Sequence, residues 1–200
     1  SDCAARLAAD AITGTPERID IGYSVKGMKP TRGTARSALG AVLATGNPQI
    51  KRSTIGGQPA LQVPLGDLLT TSRWAGEATV TANVTVSKLA RTVVPVMGPA
   101  TGPMMKLSAP LLRRLVERMP EGPTDDMRAS ARASVSATAT RGSQSATVTV
   151  DVNDVYAFTA LSLVEFALRV DGKGPMSPAE AVDSAEMLDA LTGPLLAWRH

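Results

Sequence analysis

The sequence predicts an α+β fold: a mixed, largely antiparallel β-sheet with helices packed on one face. Three observations carry that prediction. Residues 78 to 86 alternate almost without error, Thr79, Thr81, Asn83 and Thr85 one way and Val80, Ala82, Val84 and Val86 the other, the period of a half-buried strand. Residues 128 to 139 and 145 to 151 alternate in the same way on either side of Arg141-Gly142-Ser143-Gln144, which reads as a hairpin. Apolar residues recur at helical spacing over 105 to 119 and 155 to 170, giving amphipathic or buried helices to cover the sheet.

Taken in order, residues 2 to 12 form a helix behind Ser1, ended by Gly14 and Pro16. It starts directly on a cap with no charged-then-apolar leader, as expected of a piece cut from a longer chain. Ile19, Ile21, Tyr23 and Val25 alternate with polar neighbours in a strand that runs into the turn around Lys29-Pro30. Thr31 or Thr34 caps the next helix, with Ala35, Ala38, Leu39, Val42 and Leu43 on its apolar side and Gly46-Asn47-Pro48 at its end. Strand, turn and helix make half of a βαβ unit. Two short strands flank Gly56-Gly57, with Pro59 and Pro64 favouring an edge position. Asp67 caps a short helix through Trp74, closed by Gly76.

Between Arg91 and Lys106 there is no charge, and the segment is broken by Pro95, Gly98, Pro99, Gly102 and Pro103. The segment is too short and too broken to span a bilayer. It reads either as a Pro/Gly-punctuated connection or as an apolar lid in which Met97, Met104 and Met105 adapt to a greasy ligand. Asn153 or Asp154 caps the long helix to Val170, apolar almost all round and so expected to lie against the sheet. Ser177-Pro178-Ala179-Glu180 starts a final helix to about Leu191 with a capping box.

Two hundred residues, 44% apolar and 20% charged, suffice for one core, so residues 1–200 are read as a single domain. A net charge of +3, dispersed, with two Tyr, two Phe and two Trp, argues against nucleic acid as a partner. The single Cys3 permits neither an internal disulfide nor a cysteine metal site and fits a reducing, cytoplasmic location. The one histidine, His200, is terminal, which removes Ser-His-Asp and Cys-His chemistry from consideration. Glycine-rich dinucleotide and P-loop fingerprints, zinc-protease and nucleophile-elbow motifs are all absent. Asp125-Asp126 reads as a loop pair that caps the following element rather than sharing a proton.

The candidate binding edge is the turn after the first strand. There Arg32, Gly33 and Thr34 present backbone N–H groups, a helix dipole and a guanidinium suited to a carboxylate or phosphate; alternatively Lys26, Lys29, Arg32 and Arg36 are a solvated basic rim. Arg73-Trp74 either stacks on a ligand or is a packed Trp with a snorkelling Arg. Tyr23 and Tyr156 each read as a core residue with a satisfied hydroxyl rather than a general acid, and they complete the substrate-facing set.

The order Ile19-Asp20-Ile21-Gly22-Tyr23, Thr31-Arg32-Gly33-Thr34-Ala35-Arg36-Ser37, Leu65-Gly66-Asp67 with Thr71-Ser72-Arg73-Trp74-Ala75-Gly76, Glu121-Gly122-Pro123-Thr124 with Arg128, Tyr156, and Gly174-Pro175-Met176-Ser177-Pro178-Ala179-Glu180-Ala181 resembles the C-terminal half of saccharopine dehydrogenase-like oxidoreductases, closest to the bacterial trans-acting enoyl reductase-like proteins. The resemblance implies an NAD(P)H-dependent oxidoreductase whose Rossmann half binds the nucleotide, while this part supplies substrate contacts and a homodimer contact. No cofactor is expected on this chain alone. The expected ligand is a small hydrophobic or anionic substrate, with a free-standing hydrophobic-ligand binder or cofactor-free isomerising domain as the alternative.

Overall fold

A computed structural model describes residues 1–27, 31–45, 50–172 and 174–200. The Lys29-Pro30 turn and the Gly46-Asn47-Pro48 stop lie outside these residues, as do the side chains of Ala38, Val42, Leu43, Met97, Met104 and Met105. The chain runs α1 (Asp2–Asp10), β1 (Arg18–Lys26), α2 (Arg32–Thr45), β2 (Lys51–Ile55), β3 (Gln58–Gln62), α3 (Asp67–Ser72), β4 (Thr79–Thr85), α4 (Lys88–Glu117), α5 (Asp125–Ser130), β5 (Arg132–Arg141), β6 (Gln144–Asn153), α6 (Val155–Arg169), α7 (Pro178–Ala181), α8 (Ser184–Leu191) and β7 (Leu196–Arg199).

The seven strands form one mixed sheet in the order β2-β3-β4-β1-β5-β6-β7. β1 lies parallel to β4, Arg18 beside Thr79 through Tyr23 beside Val84, and the other neighbouring pairs are antiparallel. The fold is α+β as expected. The register puts Ile21 beside both Ala82 and Ala137, and Ile19, Ile21, Val148 and Leu196 have no more than 1% exposure. Burying each Ile contributes about 1.5–3 kcal/mol. Onto this face pack α1, α3, α6, α7 and α8. The alanines that weakened the strand pattern have a packing role: Ala137 and Ala139 meet Ala4, Ala5 and Ala8 of α1 in the same buried cluster, where small side chains on both elements let helix and sheet approach closely. The opposite face carries Asp20, Gly22, Ser24, Ser136, Thr138 and Thr147, and its hydroxyls and carboxylate are polar enough to stay in water.

Several elements differ from expectation. Residues 91 to 106 are not a broken connection: α4 is one helix from Lys88, capped by Ser87 accepting from the Ala90 N–H at 3.2 Å. Pro95, Pro99 and Pro103 each remove a single intrahelical donor, and their spacing of four keeps those losses on one face while the other bonds of each turn persist. Residues 128–130 belong to α5 instead of β5, because Thr124 accepts from the Met127 N–H at 3.3 Å and Asp125 and Asp126 occupy the first turn. The final helix is two: Glu180 accepts from the Ser177 N–H at 2.8 Å as a capping box requires, yet Asp183 starts α8 afresh by accepting from the Glu186 N–H at 2.9 Å. β7 carried no periodic signal, being four residues long. β3 is second from the edge; Pro59 sits just ahead of its pairing with β4, where its carbonyl alone is used, accepting from Val86 N–H at 2.9 Å. α2 and α4 pack on each other, and α4 on β2 and β3.

Candidate ligand groove

The N-terminus of α1 is fixed by a buried carboxylate. Asp2, 4% exposed, accepts hydrogen bonds from Thr71 Oγ1 at 2.9 Å, Trp74 Nε1 at 3.1 Å and the Ala179 N–H at 2.9 Å. One side chain thereby fastens α1, α3 and α7. A buried charge is tolerated when donors replace its hydration. Trp74 is also covered by Arg6, whose guanidinium carbon lies 5.3 Å from the ring centre.

Beside this anchor Tyr23 donates its hydroxyl to Asp67 Oδ2 at 2.7 Å. Burial pushes the Tyr23 phenol above its ordinary pKa, the nearby Asp67 and Asp2 carboxylates add to the rise, and a hydrogen bond with Ser1 offsets part of it. The phenol therefore stays protonated and serves as a donor. Asp67 does not cap α3, whose N-cap is Gly66; it is held by Tyr23 instead. The Cys3 thiol is likewise pushed up by burial, which keeps it a neutral, weakly reactive group.

These residues form the polar end of a groove of about 540 Å³ bounded by α1, α3, α6, α7 and α8. Ser1, Asp2, Asp67 and Thr70 line that end; Phe158, Leu163, Phe166, Met187, Leu188 and Leu191 line the rest. The groove lies within the size range of small-molecule sites and has their composition, an apolar wall with a few polar groups. With two carboxylates and no arginine in its lining, it suits an apolar molecule with a hydroxyl or other donor head.

The wall contributed by α6 is unusual. Asp154 caps the helix, accepting from the Ala157 N–H at 3.1 Å from a left-handed backbone, φ 43°. No residue of α6 is fully buried. The helix touches α8 and β6 but leaves Leu163 66%, Val164 56% and Leu168 76% exposed. The expectation that it lies against the sheet holds for the side carrying Val155, Phe158, Leu161 and Phe166, which packs on the core, while the outer side is bare.

The residues expected to face substrate divide into two places. Tyr23 reaches Asp67 at the polar end of the groove. Arg73, at the C-terminus of α3, is committed to Glu180 at 2.8 Å and the Pro175 carbonyl at 2.8 Å, so it ties α3 to α7 and does not stack. Tyr156 occupies the first turn of α6, its buried hydroxyl without a hydrogen-bond partner among the described residues. Arg32, Gly33 and Thr34 lie elsewhere. Arg32 donates to the Met119 carbonyl at 3.0 Å and to Glu121 at 2.9 Å, and its backbone N–H donates to the Pro120 carbonyl at 2.9 Å. Thr34 shares a hydrogen bond with Thr31 at 3.1 Å, and Gly33 faces open space. The N-terminus of α2 is thus bonded to the end of α4. Of the basic rim, Arg36 pairs with Glu117 at 2.9 Å, Lys26 is exposed, and Lys29 lies outside the described residues. Asp2, Phe166 and Met187 escaped the sequence reading because a buried N-terminal Asp and apolar helix positions look like ordinary caps and core.

Gly56-Gly57 is the tip of the β2–β3 hairpin, and the N-terminus of α2, which follows β1, meets the Pro120 carbonyl through the Arg32 N–H. Among the described residues no group of His, Cys, Asp and Glu could hold a metal ion, and no helix is long and apolar enough to cross a membrane. No protein-family model matches the sequence, and no curated protein matches it.

Proposed function

We infer that this chain is the substrate-facing and self-associating domain of an NAD(P)H-dependent oxidoreductase of saccharopine dehydrogenase-like type, acting on an apolar, lipid-like substrate as an enoyl reductase does. The nucleotide belongs to a companion Rossmann half, and the assembly is a cytoplasmic homodimer. The observation that carries this reading is α6: an apolar helix left bare along the rim of an apolar groove. Apolar surface of this kind marks contact with another body.

Titration of NADPH against this chain, followed by nicotinamide fluorescence, tests the division of labour. No binding is expected from this chain and clear binding once a Rossmann half is joined to it; tight binding by this chain alone overturns the reading. The groove itself favours a second reading, a free-standing domain that holds a small hydrophobic ligand or shapes it for a cofactor-free rearrangement, because its apolar wall is complete within one chain. High-affinity binding of a fluorescent long-chain alcohol together with no gain from a Rossmann half would favour this second reading.

A further inference from the structure

We propose that the polar face of the sheet carries a second binding site, for a phosphate group, at the junction of β2 and α4. A cavity of about 720 Å³ opens there, lined by Arg18, Arg52 and Arg91 with the hydroxyls of Ser136, Thr138 and Thr147. It lies on the side of the sheet away from the helix-lined groove.

Arg52 and Arg91 brace the two elements crosswise. Arg52 Nη2 donates to the Thr92 carbonyl at 3.2 Å, and Arg91 Nε donates to the Ser53 carbonyl at 3.0 Å. Each spends one nitrogen on a backbone oxygen and keeps two others, and neither has a carboxylate partner among the described residues. Two cations held together by the fold without an acid between them attract an anion, and the planar forks of guanidinium match phosphate oxygens two at a time.

The single acid in the lining, Asp20, is already satisfied. Arg18 donates to it at 2.6 and 2.7 Å, and Thr81 Oγ1 donates as well. It therefore does not cancel the arginine pair. The floor is hydroxylated: Thr138 and Thr147 share one hydrogen bond at 2.9 Å and each keeps capacity for another.

Gly22 explains how β2 comes to stand over this floor. A Cβ there would lie 2.8 Å from Ser136 Oγ and 3.1 Å from Ile55. A glycine inside a central strand normally weakens it. Here the missing side chain admits Ile55 above the sheet, and Arg52 of the same strand also lines the cavity.

The cavity exceeds a lone phosphate, so the ion has two sources, free phosphate or the ester of a small hydroxylated molecule whose hydroxyls meet the Ser/Thr floor. The test is an amide-resolved NMR titration of the intact chain with ribose 5-phosphate, inorganic phosphate and ribose. Saturable shifts at Gly22, Ser136 and Thr138 with ribose 5-phosphate, none with ribose, and a loss of affinity of about tenfold or more in Arg91→Gln or Arg52→Gln support the site. Equal affinity for inorganic phosphate also supports it, with the free ion as the source. Absence of these shifts with both phosphate compounds overturns it without recourse to a variant, as does undiminished binding in both folded variants. The groove reading is unaffected by either result, since occupancy of the groove is read with an apolar probe.

Discussion

Replacing Leu163 and Leu168 together by Glu separates folding from association. Leu163 is 66% and Leu168 76% exposed, so about a third and a quarter of each side chain is covered within the chain. With about 1.5–3 kcal/mol for complete burial of a leucine, folding loses no more than about 1 kcal/mol at Leu163 and about 0.7 kcal/mol at Leu168. Leu and Glu have similar helix propensities, so α6 itself persists. A contact that covers both residues loses the remaining two-thirds to three-quarters of their burial and must in addition desolvate two carboxylates. Guanidinium unfolding therefore shows a shift below about 2 kcal/mol, while sedimentation velocity shows the dimer of the wild type replaced by a monomer. A wild type and variant that sediment identically, or a loss of several kcal/mol in the unfolding experiment, refutes the argument.

Asp2→Ala strands three donors from Thr71, Trp74 and Ala179 and is expected to cost about 3 kcal/mol in chemical denaturation; an effect under about 1 kcal/mol would show that water replaces the carboxylate. Tyr23 has its pKa raised in the fold, so its contribution is intact below the phenol's ordinary value and is lost as pH rises past it. Urea midpoints should fall between about pH 9 and 11 in the wild type and fall less in Tyr23→Phe; parallel curves would remove Tyr23 as the cause. Arg32→Ala, by freeing the end of α4 from α2, should lower stability by about 1 kcal/mol and leave ligand binding in the groove unchanged. Loss of binding in a folded Arg32→Ala would return Arg32 to the site.

The strands were legible where one face is buried and the other wet. The β5–β6 hairpin alternates for that reason; in β4, Val80 packs on the core while Thr81 and Asn83 are buried on the other face, where Asn83 donates to Thr81. Of α4 only the second half, from about residue 105, was legible; the first half was not, since local rules give each proline a breaking role and take no account of neighbours that retain the remaining bonds of the turn. For α6, all-round hydrophobicity resembles burial in the sheet and exposure to a partner equally, because the pattern records what a side chain avoids and not what covers it. Arg32 shows the same limit at the site: its position after a strand suits an anion, but the Met119 and Pro120 carbonyls that occupy its donors come from far along the chain. Asp67 was misassigned because its competitor for a cap, the Tyr23 hydroxyl, belongs to another strand.

The parallel pairing of β1 with β4 governs how the domain assembles in time. Arg18 meets Thr79 only after α2, the β2–β3 hairpin and α3 have been threaded between them, whereas Arg141 and Gln144 close their hairpin across a two-residue turn. Loop-closure entropy and contact order make the second event fast and the first slow. The β5–β6 ribbon is then the early template and the β1–β4 seam the late, rate-limiting one, so until the seam closes the apolar side of β1 is exposed to capture by other chains.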